Sequence, residues 1–201
     1  MRLYFTLVMI LLVLGCERNA FEKQVDAESM TFSEWKTLAD KGNPAAQYNV
    51  AVMLLTGKGV EKDVKEAVRW MARAAVNGDC DAQFNLGTMY VKGLGLPQDE
   101  SQALYWFRKA AESGSIEAQH NLGFAYYRGR LVMRDVAEAV KWFSLAADAG
   151  DPKSQYHLGD CCYVGAGTAK DRAQAFDWYR KSAEQGFAPA KERLREIERN
   201  N

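Results

Sequence analysis

Ala82-Gln83-Phe84-Asn85-Leu86-Gly87-Thr88-Met89-Tyr90-Val91-Lys92-Gly93-Leu94-Gly95, then Asp99, then Ala103-Leu104-Tyr105-Trp106-Phe107-Arg108-Lys109-Ala110-Ala111-Glu112-Ser113-Gly114, is the stretch that decides the fold. Ala82, Leu86, Gly87 and Tyr90 recur at three- and four-residue spacing, the period of a helix. Ala103, Trp106, Phe107, Ala110 and Ala111 mark a second helical face. Between them Gly93 can take the left-handed conformation that stops a helix. Asp79 precedes the first run and Asp99 the second, each an N-cap residue type. The stretch therefore reads as one helical hairpin.

Working outward, the same hairpin returns. Tryptophan recurs every 36 residues, at Trp70, Trp106, Trp142 and Trp178. Gln47, Gln83, Gln119 and Gln155 keep that interval, as do Asp63, Asp99, Asp135 and Asp171. A fixed period of this length is a repeat signature. The chain divides without gaps into residues 44–79, 80–115, 116–151 and 152–187. Asn43, Asp79, Ser115 and Asp151 stand as first-helix caps, with Pro44 and Pro152 at the first helical position. Asp63/Glu66, Asp99/Gln102, Asp135/Glu138 and Asp171/Gln174 read as capping-box pairs. The tryptophan is expected to fill the space between units. Residues 31–43 read as an N-terminal capping helix and 188–201 as a C-terminal one, with Lys191, Glu192, Arg193, Arg195 and Glu196 on an outer face. The expectation is ten helices and no sheet: an all-α, α/α solenoid of four 36-residue helical hairpins with flanking capping helices.

The first sixteen residues differ. Met1-Arg2 is a minimal basic start, and Leu3–Leu14 carries no charge. That run is too short to span a bilayer of about 30 Å as a helix. It fits the apolar region of a secretory signal, residues 1–15. Val13-Leu14-Gly15-Cys16 resembles the lipobox of bacterial lipoproteins, which implies cleavage before Cys16 and its lipidation; the other reading is an ordinary cleaved signal. Residues 16–30 then form a lipidated cysteine and a polar tether, and the chain is expected at the bacterial cell envelope, facing the periplasm. Cys80, Cys161 and Cys162 read as small buried thiols.

The quoted stretch closely resembles the Sel-one-like repeat, a relative of the tetratricopeptide repeat, over residues 44–187. The resemblance implies first helices lining a concave face, and binding of other proteins as adaptor, regulator or inhibitor. Ala51 and Leu54 depart from the pattern in the first unit. Leu131 replaces the second loop glycine in the third, so Arg130-Leu131-Val132-Met133 is expected to form a different loop.

Twenty-six basic and 26 acidic side chains balance, which argues against a nucleic-acid partner. No nucleophile motif and no phosphate loop occurs, so no catalytic residue, cofactor or metal is assigned. His120, His157 and Cys161 are of ligand type, but they occupy repeat positions held elsewhere by aromatics and asparagine. The family's β-lactam-hydrolysing members supply an enzymatic alternative, which the missing repeat disulfides count against. Partner contact is expected at groove positions that vary between units. These are Tyr48, Phe84, His120 and Tyr156; Asn49, Asn85, Asn121 and His157; Thr88, Phe124 and Asp160; and Tyr127, Arg128 and Tyr163. For the asparagines a frame role and a grip on peptide backbone stay open. The family resemblance implies a protein partner, such as a secreted toxin of the lipase class neutralised by a periplasmic immunity protein, or else an envelope sensor under regulation or a host protein. Membrane contact is expected through the lipid anchor only.

Overall fold

A recurring exchange of hydrogen bonds at glutamine holds consecutive hairpins together. Gln47, Gln83 and Gln155 each donate from Nε2 to a carbonyl near the end of the preceding helix, Ala39, Ala75 and Ala147, all at 3.1 Å. Their Oε1 atoms accept from the close of their own hairpin: Asn77 at 2.9 Å, Ser113 at 3.2 Å and Gln185 at 2.8 Å. A helix C-terminus leaves carbonyls without intrahelical partners, and a buried one needs such a donor. At Gln47, Gln83 and Gln155 the repeated glutamine is therefore a staple, a role its recurrence alone did not specify.

The structure, a computed structural model, describes residues 30–199. Ten helices occur among them: α1 Phe32–Asp40, α2 Pro44–Thr56, α3 Val64–Val76, α4 Cys80–Lys92, α5 Glu100–Glu112, α6 Ile116–Arg128, α7 Val136–Asp148, α8 Pro152–Val164, α9 Arg172–Glu184 and α10 Ala188–Arg199. No strand occurs among the described residues. They form two compact units, divided between Ser115 and Ile116. In unit 1, α2/α3 and α4/α5 are hairpins, α1 covers α2, and α3 packs on α4. In unit 2, α6/α7 and α8/α9 are hairpins, α7 packs on α8, and α10 covers α9. Each unit is a length of α/α solenoid. Residues 1–29, which hold the leader, Cys16 and nearly all of the tether, lie outside the described residues. No described helix is long and apolar enough to cross a membrane.

The caps follow the sequence. Asn43, Asp79 and Asp151 accept the N–H of Ala46, Ala82 and Ser154. Asp63, Asp99, Asp135 and Asp171 cap the second helices. The reciprocal half of the capping box forms at Thr31/Glu34 and not at the four repeats, which corrects the sequence reading. There the third-position side chain has other partners: Glu66 accepts from Trp70 Nε1 at 3.2 Å, Glu138 pairs with Lys141, and Gln174 accepts from Cys162 Sγ.

A second correction concerns the tryptophans. Trp70 is 3% exposed, but Trp106, Trp142 and Trp178 are only half-buried. In the last two hairpins the deepest aromatic is the following residue, Phe143 or Tyr179, both fully buried. The reason is a close approach of the two helices. A Cβ added to Gly87, Gly123 or Gly159 would stand 2.7–2.8 Å from the ring of Phe107, Phe143 or Tyr179, well inside the ~3.5–4.0 Å optimum between carbons. The first hairpin meets the same constraint differently, with Ala51 and the flexible Met71, both buried. Its departure at Ala51 is thus a matched change of two facing residues.

A third correction concerns the loop after α6. Leu131 has φ 68°, beside 74°, 73° and 70° at Gly59, Gly95 and Gly167. The left-handed conformation is kept, at the cost of about 1–2 kcal/mol that a Cβ imposes there. The cysteine reading holds in part. Cys161 and Cys162 are buried free thiols, and burial pushes Cys161 up to about 12. Cys80 is buried as well.

Candidate partner-binding face

The richest grouping of expected site residues lies in unit 2, where the first helices α6 and α8 run beside each other. His157 stands at its centre. The ring of Phe143, from α7, stacks on it at 5.2 Å and that of His120 at 5.8 Å, while Tyr156, Phe124 and Tyr127 approach at 5.4, 5.6 and 6.3 Å. Aromatic rings at these separations attract one another beyond simple area burial. Burial, with repulsion from His120 and Arg128 added, lowers the His157 imidazole to about 4. Burial also lowers His120. Both rings are neutral near pH 7 and behave as aromatic faces. Among the described residues no group of three His, Cys, Asp or Glu side chains could hold a metal ion.

Guanidinium groups edge this aromatic field. Arg128, exposed at the end of α6, lies 5.4 Å from the Phe124 ring. Tyr163 is flanked by Arg172 at 5.3 Å and Arg193 at 5.4 Å. Such contacts orient arginine and leave its donors for a carboxylate or carbonyl. Asp160 is engaged within the chain: it accepts the Tyr179 hydroxyl at 2.7 Å and faces Arg193 Nε at 3.7 Å. Arg193 therefore turns toward α8, which corrects its expected place on the outer face of the C-terminal helix; Lys191, Glu192 and Arg195 are exposed as expected. Tyr156 adds an edge contact with Phe187 at 5.6 Å.

His120, Phe124, Tyr127, Tyr156, His157, Asp160 and Tyr163 are half-buried, while Asn121 and Arg128 are exposed. The half-burial has a cause in the packing, since Tyr127 also meets Phe143 at 6.2 Å and Tyr156 meets Tyr179 at 5.9 Å.

In unit 1, Tyr48, Asn49, Phe84, Asn85 and Thr88 lie on α2 and α4, all half-buried. Asn85 Nδ2 donates to the Tyr48 hydroxyl at 3.4 Å, a bond between neighbouring hairpins and a frame role for that asparagine. Phe84 packs on Phe107 at 5.5 Å. Phe143, Arg172 and Arg193 contact these residues, and the sequence reading did not place them there. The signal for Phe143 was legible: a large apolar residue recurs after each tryptophan opposite a glycine or alanine. The signal for Arg193 was not, because nothing in a charged helix says which charge faces inward.

The four 36-residue windows, 44–79, 80–115, 116–151 and 152–187, each match the Sel1 repeat. A search of curated proteins found no match. Among solved structures, a protective antigen present in uropathogenic Escherichia coli strains and displaying an SLR fold is 38% identical, with TM-score 0.77. The match covers 83% of this chain and 36% of that one. A Sel1 repeat protein from Oxalobacter formigenes is 32% identical, with TM-score 0.79, over 83% of this chain and 48% of its own. The chain thus spans less than half the length of either relative. An immunity protein from Pseudomonas aeruginosa is 20% identical, with TM-score 0.50, over 88% of this chain and 67% of its own, a likeness of fold alone. With four repeats matched and relatives above 30% identity, the chain belongs to the Sel1 repeat family.

Proposed function

We propose that this chain is a non-catalytic, envelope-anchored lipoprotein that binds a protein partner through the α6/α8 face, in the manner of an immunity protein that blocks a secreted toxin. Sel1 repeats are protein-interaction modules, and fold alone names no partner. The observation that carries the reading is the aromatic field around His157, with Arg128 and Arg172 at its edges. Aromatic residues and arginine are the usual anchors of interfaces. Neutral histidines add apolar area without a charge to desolvate. Inhibition by occupancy suits a repeat module that offers an extended binding surface. Gly15-Cys16, closing an uncharged run, supports the lipid anchor.

The test joins both halves of the reading. Wild-type chain in its bacterial host should incorporate palmitate, and Cys16→Ser should not. A partner captured by wild type should then be titrated by calorimetry. Arg128→Ala with Tyr163→Ala should weaken binding more than tenfold, and Lys141→Ala, on the second helix α7, should leave it unchanged. A toxin reading further requires stoichiometric loss of the partner's activity. Binding lost with Lys141→Ala and kept in the double variant would move the site off this face.

A further inference from the structure

The two loops of unit 2 lie side by side. A Cβ on Gly167 would strike the Val136 carbonyl, so the loop 165–171 rests on the start of α7, immediately after the loop 129–135. The edge they share has two unusual properties. Met133 is 91% exposed and Val164, at the end of α8, is 60% exposed. Arg130, Arg134 and Lys170 are exposed beside them; Arg134 Nε donates to the Tyr127 carbonyl at 3.1 Å, and among the described residues none of the three has a carboxylate ion partner. The two acids in the loops, Asp135 and Asp171, each accept a backbone N–H of the helix it starts, so basic residues outnumber acids there by three to two.

Unit 1 supplies an internal control with the same fold. Its loop 57–63 mixes Lys58 and Lys62 with Glu61, and its loop 93–99 has no charged residue before Asp99. The basic, methionine-tipped edge is therefore no requirement of the repeat. The third loop also keeps Leu131 at φ 68° where the other three have glycine, a strain retained in an exposed segment.

We propose that this edge of unit 2 docks on an anionic lipid surface, with Met133 entering the headgroup layer and Arg130, Arg134 and Lys170 facing lipid phosphates. An acidic protein would supply the same charge. The observations favour a bilayer because Met133 is almost wholly exposed, and the basic side chains border it across two adjacent loops. A fluid interface accepts that arrangement: apolar tips enter the acyl boundary while basic groups stay at headgroup level. The inference does not depend on lipidation at Cys16, nor on the partner face.

The test uses the full chain carrying Cys16→Ser. Its apolar stretch Leu3–Leu14 can itself bind vesicles, so the comparison is between charge-matched variants. Each basic residue near an anionic surface adds about 1 kcal/mol. Arg130→Gln/Arg134→Gln/Lys170→Gln should therefore lower partition onto vesicles of 30% phosphatidylglycerol in phosphatidylcholine by roughly 100-fold. Lys58→Gln/Lys62→Gln/Lys65→Gln should lower it only weakly, and inorganic phosphate should not compete. A polarity-sensitive fluorophore on Met133→Cys should shift to the blue on these vesicles and not on pure phosphatidylcholine. The same label on Val76→Cys, itself exposed, should not shift. Equal losses from the two triple variants, or a silent Met133 probe, would overturn the proposal.

Discussion

Gly123→Ala puts the helix-packing argument at risk. Gly123 lies within α6, where alanine is favoured over glycine by about 1 kcal/mol. Intrinsic propensity alone therefore demands a more stable protein. The packing demands the opposite. The new Cβ would lie 2.7 Å from Phe143 Cδ1, 2.8 Å from Cε1 and 3.3 Å from the Ala139 carbonyl. Restoring carbon contact to ~3.5 Å moves the ring by roughly 0.8 Å. Phe143 is fully buried and stacked on His157, so the ring has little room to yield. Overpacking of this kind costs about 1–3 kcal/mol, and the upper end applies to a ring hemmed on all sides. Less the propensity gain, the net loss is about 2 kcal/mol. In a chain of this size that lowers the melting temperature by about 4–8 °C, measurable by far-UV circular dichroism and urea titration. Phe143→Met in the same background reproduces the Ala51–Met71 pair of the first hairpin and should recover part of the loss. The double-mutant cycle should show a coupling of about 1 kcal/mol or more. A stabilised Gly123→Ala, or strictly additive effects, would refute the close-approach explanation.

Other outcomes follow from the same geometry. Gln83→Met should cost about 1–3 kcal/mol in urea denaturation, because it removes two hydrogen bonds and leaves the Ala75 carbonyl without its donor; a cost below that range would mean that the staple is replaced by water. His157 is depressed from 6.5 to about 4 in the folded chain, so the unfolded chain binds the extra proton first. Stability is then fully present above about pH 6.5 and is lost as pH falls toward about 4, by roughly 3 kcal/mol in total. His157→Phe should abolish most of that slope, and an NMR titration of the His157 ring with a midpoint near 6.5 would contradict its burial among the rings.

Much of the fold was legible because each repeat is locally consistent. Apolar residues at helical spacing, aspartate before each second helix, and glycine after each first helix all call for the same hairpin. The matching windows fell where the tryptophan interval placed them. What failed was the assignment of contacts. A helical period says that Trp142 and Phe143 are near the buried face, but not which of two adjacent residues points at Gly123. Leu131 was expected to change its loop because isolated residues avoid positive φ; the neighbouring structure holds it there regardless. The site followed the same division. His120, Phe124, Tyr127, Tyr156, His157 and Tyr163 were picked because they vary within a constant frame, and the structure brings most of them around one histidine.

The sequence by itself determined the period, the helix limits and the N-cap residues, since all of these are local or repeat at a fixed interval. Tertiary structure decided what each residue does with its neighbours. It spent Asp160 on Tyr179, turned Arg193 from solvent toward Tyr163, made staples of the glutamines, and neutralised His157 by enclosing it in rings. Those outcomes depend on atoms a few ångströms apart that lie up to tens of residues apart in the chain, and on local desolvation, neither of which a single period along the sequence encodes.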